Sequence, residues 1–242
     1  MLRGTEDEVI DFEERNENDE NVIVHLPNYF YPLCYKKRSI YYNKALEYLY
    51  SRNVTQLDIL RQKIGYCEEG DFRNRIIFPS FDCDGKLNYF IGRSYFDNVK
   101  VKYKNANIKK SKIVFNELYI NFSKPVVLCE GVFDCFTCGE NSIPLLGSTI
   151  NEALIEKLVS FKCPCVYVSI DPDTYHFEDS KNSKILKISN KLKRYKIETR
   201  FVDIRPFKDP GEMTKKDFEE KKSKAVDIDD DFIFSMKIGD LS

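Results

Sequence analysis

Acidic side chains follow three predicted strands at the points where those strands end. The strands are the predicted runs 126–129, 166–170 and 198–204, of which the first two are largely apolar. In open parallel sheets, ligands bind at the carboxyl ends of the strands. We therefore expect the carboxylates that follow these runs to meet at one edge of a sheet. They are Glu130, Asp134, Asp171, Asp173 and Asp209.

A group of carboxylates in one place has a specific chemical use. The charges repel one another unless protons or a cation neutralise them. Ligand sets made only of oxygen favour hard ions such as Mg²⁺, which also hold phosphate oxygens during phosphoryl and nucleotidyl transfer. Gly131, directly after Glu130, leaves room for a phosphate or metal ion to approach the backbone.

The elements that must position these acids alternate along residues 123–215. Short apolar runs alternate with segments of helical periodicity, a pattern that predicts an α/β fold with a parallel sheet covered by helices on both faces. Thr149 and Glu152 have the spacing of a capping box, which predicts the start of one of these helices.

The preceding region, residues 22–122, reads as a smaller α+β subdomain. Thr55 is predicted to start a short helix, with Leu57, Leu60 and Ile64 facing the core. A strand over residues 75–79, a turn at Asp84-Gly85 and a return strand over 87–91 predict a hairpin.

Charge is balanced overall but uneven along the chain. The 242 residues include 38 Lys and Arg against 39 Asp and Glu, a net charge of -1. Six lysines and no acid lie between Lys100 and Lys112, a stripe that could form a phosphate-binding surface.

Residues 1–21 are acidic and poor in apolar side chains, which predicts disorder. Residues 216–242 are predicted to form a tail or a short helix.

The cysteines and the hydropathy indicate the surroundings of the protein. Eight cysteines without a secretory signal favour free thiols in a reducing compartment, and we expect a cytoplasmic protein. No apolar run approaches the roughly 18–20 residues of a membrane span, so we expect no membrane partner. Two cysteine pairs could form a four-sulfur zinc site, although buried apolar thiols are the more common reading. The pairs are Cys135 with Cys138 and Cys163 with Cys165.

Three acidic motifs resemble those of a Toprim domain: Glu130-Gly-Val-Phe-Asp134, Ser169-Ile-Asp-Pro-Asp173 and Lys208-Asp-Pro-Gly-Glu212. Upstream, residues 45–52, 75–79, 90–93 and 102–105 are similar, in the same order, to the catalytic core of bacterial-type (DnaG-like) DNA primases. The resemblance covers roughly residues 40–215. Residues 26–33 further resemble a divergent phage branch of that family.

The resemblance implies a function and a role for each matched acid. The core would synthesise short RNA primers on single-stranded DNA by nucleotidyl transfer, with two or more Mg²⁺ (or Mn²⁺) ions and no zinc. Glu130, Asp171 and Asp173 would be the catalytic acids, and Asp134 and Asp209 would complete the set of metal ligands.

The resemblance also implies binding residues and partners. Nucleotides, template or RNA–DNA hybrid would be contacted by Arg75, Arg93, Lys102, Asn105 and Lys112. The implied partners are single-stranded DNA, ribonucleoside triphosphates and a replicative helicase. The sequence departs from the family at Pro172, where a glycine is usual, and it has no amino-terminal zinc ribbon. A separate protein could supply that zinc module.

Two other functions remain open at this point. A Toprim-type nuclease would use the same acids, and a non-catalytic DNA-binding replication subunit would keep only the fold. The basic subdomain favours primer synthesis over a nuclease, because a bare Toprim nuclease does not need the hairpin unit.

Overall fold

The structure is a computed structural model that describes residues 23–147, 149–175 and 183–239. The predicted acidic segment 1–21 lies outside the described residues. The chain divides into two compact units, one up to Lys109 and one from Lys110. The domain boundary that we propose from the sequence, at residue 122, lies further along the chain. None of the helices in the described ranges combines the length and apolarity that a membrane span requires.

The first unit is built on a five-stranded antiparallel sheet in the order β1-β2-β3-β4-β5. Its strands are β1 (Phe30–Pro32), β2 (Gly65–Cys67), β3 (Arg75–Phe81), β4 (Leu87–Ser94) and β5 (Tyr103–Asn105). The predicted hairpin is confirmed: β3 and β4 pair, and the turn contains Gly85 at φ 77°. A carboxylate oxygen of Asp82 accepts hydrogen bonds from the backbone N–H groups of Asp84 and Lys86, which fixes the turn.

Two helices precede the hairpin, α1 (Ile40–Ser51) and α2 (Gln56–Arg61). The predicted start of α2 is confirmed, because Thr55 and Asp58 form a reciprocal capping box. The predicted inward face is wrong for two residues: Leu57 is 70% exposed and Leu60 is 51% exposed. Ile59 is buried instead, because a helix of fewer than two turns presents only one residue to the core.

The second unit contains a five-stranded sheet in the order β10-β9-β8-β6-β7. Its strands are β6 (Val126–Cys129), β7 (Ser142–Pro144), β8 (Cys165–Val168), β9 (Glu198–Phe201) and β10 (Val226–Asp227). All neighbours pair in parallel except β10, which is antiparallel to β9. The helices are α3 (Asp134–Cys138), α4 (Glu152–Ser160), α5 (Lys184–Lys193), α6 (Lys215–Ser223) and α7 (Asp230–Gly239). The predicted α/β class is confirmed.

Alternate residues of β6 enter two different cores, one on each face of the sheet. Val126 and Leu128 pack in one cluster with the apolar faces of α4 and α5. Val127 and Cys129 pack in the other, which includes Cys138 and Phe218 from α3 and α6. This alternation follows from the two-residue period of a strand and confirms a parallel sheet covered on both faces.

Two details of the second unit differ from the sequence expectations. The side chain of Asn151, not Thr149, caps α4 by accepting a hydrogen bond from the Leu154 N–H. Cys138 and Cys163 lie in the clusters on opposite faces of the sheet. The two cysteine pairs therefore cannot share one ion, and the four-sulfur alternative is wrong.

Candidate active site

The parallel pairing of β6, β8 and β9 brings the acidic loops to one edge of the second sheet. Glu130 follows β6 directly, Asp171 follows β8 by three residues, and Asp209 lies in the loop after β9. The surroundings of Asp171 confirm that the loops meet, because its carboxylate interacts electrostatically with four other carboxylates. They are Glu130, Asp134, Asp209 and Asp173.

Asp171 is the least satisfied of these acids. Its Oδ1 atom is buried, and none of the described residues donates a hydrogen bond to it. Burial, followed by repulsion from Glu130, Asp134, Asp209 and Asp173, raises the pKa of Asp171 to about 8. A buried carboxylate oxygen without a donor, surrounded by like charges, suits a cation. The residues present therefore fit Mg²⁺ or Mn²⁺.

Glu130, in contrast, has partners for both carboxylate oxygens. Its Oε1 atom accepts a hydrogen bond of 3.0 Å from the Thr174 hydroxyl and a longer contact of 3.4 Å from the Asp171 N–H. Its Oε2 atom lies 2.8 Å from the Lys184 ammonium. The sequence interpretation missed Thr174 and Lys184. A lysine in the first turn of a helix, where the helix dipole disfavours positive charge, is the signal that could have identified Lys184.

Asp134 organises the loop after β6. It is buried, and its Oδ2 atom accepts a hydrogen bond of 2.7 Å from the Gly131 N–H. A Cβ atom at Gly131 would lie 3.2 Å from that oxygen, closer than most side chains tolerate. The glycine therefore permits the close approach between the loop backbone and the carboxylate.

Asp209 and Asp173 occupy the outer part of the cluster. The Asp209 carboxylate caps the 3₁₀ turn Pro210–Glu212 by accepting a hydrogen bond from the Glu212 N–H, and this turn packs against α3. Asp173 is exposed within the 3₁₀ turn Pro172–Thr174. Pro172 occupies the first position of that turn, where its fixed φ is favourable.

The acids are gathered but do not form a closed ligand set. Among the residues that the structure describes, no three carboxylate, thiol or imidazole side chains are close enough together to hold an ion as they stand. Glu130 is engaged with Lys184 rather than with a shared centre. The carboxylates would have to converge further around a bound cation.

The two predicted arginines of the first unit make contacts within that unit. Arg75 donates hydrogen bonds to the carbonyl groups of Lys102, at 2.8 Å, and Val101, at 2.7 Å. Arg93 is 9% exposed, lies over the Tyr103 ring and donates to the Tyr48 hydroxyl. Both guanidinium groups organise the sheet and the segment after it, and their roles toward a nucleic acid stay predictions.

The remaining predicted binding residues lie in different environments. Lys102 is half-buried, and its carbonyl accepts hydrogen bonds from Arg75 and from the Ser94 N–H. Asn105, on β5, has a buried side-chain oxygen to which no residue in the described ranges donates a hydrogen bond. Lys112 is exposed and belongs to the second unit. Their predicted contacts also stay predictions.

Comparison with solved structures defines the fold. The chain resembles the Aquifex aeolicus primase structure containing the zinc-binding and RNA polymerase domains, with a TM-score of 0.64 and 19% identity over 80% of this chain and 57% of that one. It also resembles a DnaG primase catalytic domain bound to single-stranded DNA, with a TM-score of 0.63 and 17% identity over 78% of this chain and 74% of that one. The chain has the fold of a bacterial primase catalytic core. The resemblance seen in the sequence is thereby confirmed at the level of fold, and the phage branch stays a prediction.

One of two similar curated proteins is named a DNA primase. A DNA primase of Clostridium acetobutylicum is 27% identical over 203 residues, which cover 77% of this chain and 33% of the relative. An uncharacterized protein of Mycoplasma genitalium is 28% identical over 153 residues, 59% of this chain and 68% of the relative. The chain thus spans about a third of the length of the curated primase. No protein-family model matches the sequence.

Proposed function

We propose that this chain is the catalytic core of a DNA primase, which synthesises short RNA primers on single-stranded DNA by metal-dependent nucleotidyl transfer. The observation that carries the proposal is the meeting of five carboxylates at the carboxyl edge of the parallel sheet, where the buried Oδ1 atom of Asp171 receives no hydrogen bond from the described residues. The similarity to primase cores supports the same function.

The proposed chemistry joins a ribose 3′-hydroxyl to the α-phosphate of the next nucleotide, with release of pyrophosphate. Bound Mg²⁺ or Mn²⁺ ions would polarise the phosphate and neutralise developing charge. Asp171 and Asp173 would hold the ion on the incoming triphosphate, and Glu130 would act near the attacking hydroxyl. Asp134 and Asp209 would complete the ligand set and keep the loops after β6 and β9 in place.

The proposal includes ligands and partners that lie outside the chain. Single-stranded DNA and ribonucleoside triphosphates would be the substrates, and one similar primase domain has been solved with single-stranded DNA. The basic candidates would contact them: Arg75, Arg93, Lys102, Asn105 and Lys112. A replicative helicase and a protein with a zinc module are the proposed partners.

The test is synthesis of labelled oligoribonucleotides on single-stranded DNA with Mg²⁺ or Mn²⁺, without and with the helicase and zinc-module protein of the same replication system. We expect new oligoribonucleotides from the wild-type chain and none from Glu130→Gln, because the amide removes the charge at the centre of the site. Glu156→Gln is the matched control, since Glu156 is exposed on α4 in the same unit.

The alternatives give different outcomes in this assay. Degradation of the DNA that requires Glu130 would identify a nuclease. DNA binding without any reaction, in every combination of partners, would indicate a non-catalytic subunit. Retained primer synthesis by Glu130→Gln, in a folded protein, would contradict the role that we assign to this residue.

A further inference from the structure

A lysine lies in the acidic site at a position where a helix does not favour it. Lys184 is the first residue of α5, and the first turn of α5 contains no acidic residue. The amino end of a helix carries partial positive charge, so a cation there is unfavourable. Departures from local rules of this kind are expected where a residue serves a site rather than its own helix.

The contacts of Lys184 show that it interacts with Glu130. Its ammonium lies 2.8 Å from Glu130 Oε2 and joins the start of α5 to the end of β6. The side chains of Lys184 and Glu130 are only 16% and 22% exposed, so water weakens this ion pair less than it weakens a surface pair.

The backbone around Lys184 is anchored. Ser183, directly before it, is fully buried, and its hydroxyl caps α5 and donates a hydrogen bond to the Tyr175 carbonyl. The next residues, Ile185 and Leu186, are buried in the core on one face of the sheet. The lysine side chain is therefore directed from a fixed point toward Glu130.

We propose that Lys184 is a positioning residue, a built-in counter-ion of Glu130 that holds this carboxylate in place and competes with divalent cations for it. The inference rests on the proposed function, because it concerns the same acidic site. It explains why the acids are gathered without forming a closed ligand set: the ammonium occupies one carboxylate that a bound ion would share. Binding of an ion to Glu130 then requires Lys184 to move away, either to solvent or to another anion.

The test compares Mn²⁺ binding, followed by the electron paramagnetic resonance signal of the free ion, in Lys184→Met and Lys187→Met. Both variants lose one positive charge on the same helix, but Lys187 is exposed. We expect Lys184→Met to bind Mn²⁺ about tenfold more tightly than the control, because the ion no longer has to displace an ammonium from Glu130, and a tenfold change corresponds to about 1.4 kcal/mol. Lys184→Arg, which keeps the charge, should retain wild-type affinity.

A Glu130→Gln background gives a second and independent measurement. If the lysine acts through Glu130, Lys184→Met should leave the Mn²⁺ affinity unchanged in that background. Lys184→Gln repeats the comparison with a polar side chain if the Met variant does not fold. Circular dichroism establishes folding in every case.

The outcomes separate the two proposals. Equal or weaker Mn²⁺ binding by folded Lys184 variants relative to Lys187→Met would overturn the counter-ion proposal and leave the proposed function standing. The same increase in the Glu130→Gln background would also overturn it, because the effect would not act through Glu130. If neither the wild type nor the Lys184 variants bind Mn²⁺, the proposed function fails, and the role of Lys184 fails with it.

Discussion

Two carboxylates, one in each unit, have opposite surroundings. Glu68, in the first unit, accepts hydrogen bonds from the Lys37 ammonium at 2.8 Å and the Tyr66 hydroxyl at 3.0 Å. Burial alone would raise its pKa, but hydrogen bonds from Lys37, Ser39 and Tyr66 lower it overall. Asp171, in the second unit, has a buried oxygen that receives no hydrogen bond within the described part of the chain, and burial together with four neighbouring carboxylates raises its pKa to about 8.

This difference distinguishes charged groups that are paired within the fold from charged groups that are available to bind a ligand. In the first unit, charged groups have partners that the fold supplies, as the contacts of Arg75 with two carbonyl groups also illustrate. At the acidic edge of the second unit, the residues that the structure describes supply a cation to Glu130 but no donor to Asp171 Oδ1. Strongly shifted groups in such settings are candidates for function.

The largest expected effect is that of Asp171→Asn on primer synthesis. Removing this carboxylate takes away a proposed metal ligand, and we expect the rate to fall by about 10²-fold or more, as for other groups that stabilise transition-state charge. The metal-free protein should become more stable by about 1 kcal/mol at pH 7, because an amide avoids the cost of protonating a carboxyl whose pKa is raised by burial and by neighbouring acids. Primer synthesis and urea unfolding in a chelating buffer measure the two effects. A loss of stability would contradict the view of Asp171 as an unsatisfied charge.

Arg75 should give the largest loss of stability. Arg75→Met removes the donors to the carbonyl groups of Val101 and Lys102, and we expect a decrease of about 3 kcal/mol in the free energy of unfolding. The matched control is Lys100→Met, which removes an exposed charge nearby and should change stability by less than about 0.5 kcal/mol. Equal effects in urea unfolding of the two variants would show that Arg75 is not a structural charge.

Glu68→Gln tests the carboxylate of the first unit, which accepts hydrogen bonds from neighbouring side chains. We expect a loss of about 1 kcal/mol at pH 7, because the hydrogen bonds to the charged oxygens weaken. Since the pKa of Glu68 is lowered in the folded state, its contribution is present above the unfolded pKa of about 4.3 and disappears as the pH falls through the folded value. The difference between variant and wild type in urea unfolding should therefore shrink progressively as the pH is lowered below the unfolded pKa of about 4.3. A difference independent of pH would indicate packing rather than charge.

The sequence was sufficient for features that depend on local patterns. The parallel sheet, the β3–β4 hairpin and the capping box at Thr55 follow from periodicity and turn chemistry, and the structure confirms them. The gathering of the acids near Asp171 follows from the strand ends. The inward face of α2 was predicted wrongly, because packing buries Ile59 and leaves Leu57 exposed. The cap of α4 was also predicted wrongly, because Asn151 and not Thr149 accepts the capping hydrogen bond.

The pairing of Lys184 with Glu130 could not be predicted from the sequence either. The two residues are 54 positions apart, and neither periodicity nor a motif links them. Only the packing of α5 beside the parallel strands brings the ammonium to the carboxylate. The same holds for the hydrogen bonds of Arg75 to two backbone carbonyl groups, while its contact with a nucleic acid stays a prediction.

Substitution of Asp173 should give the smallest change in stability. It tests whether an exposed carboxylate of the site behaves differently from Asp171. It belongs to the same acidic cluster as Asp171 but is exposed, so water already screens its charge. Asp173→Asn should change the free energy of unfolding by no more than about 0.5 kcal/mol without metal, while weakening Mn²⁺ binding through loss of a proposed ligand. Urea unfolding in a chelating buffer measures the free energy of unfolding, and Mn²⁺ titration measures the binding affinity. If Asp173→Asn stabilised the protein as much as Asp171→Asn, then carboxylate repulsion would not depend on burial, and the contrast between satisfied and unsatisfied charges would lose its physical basis.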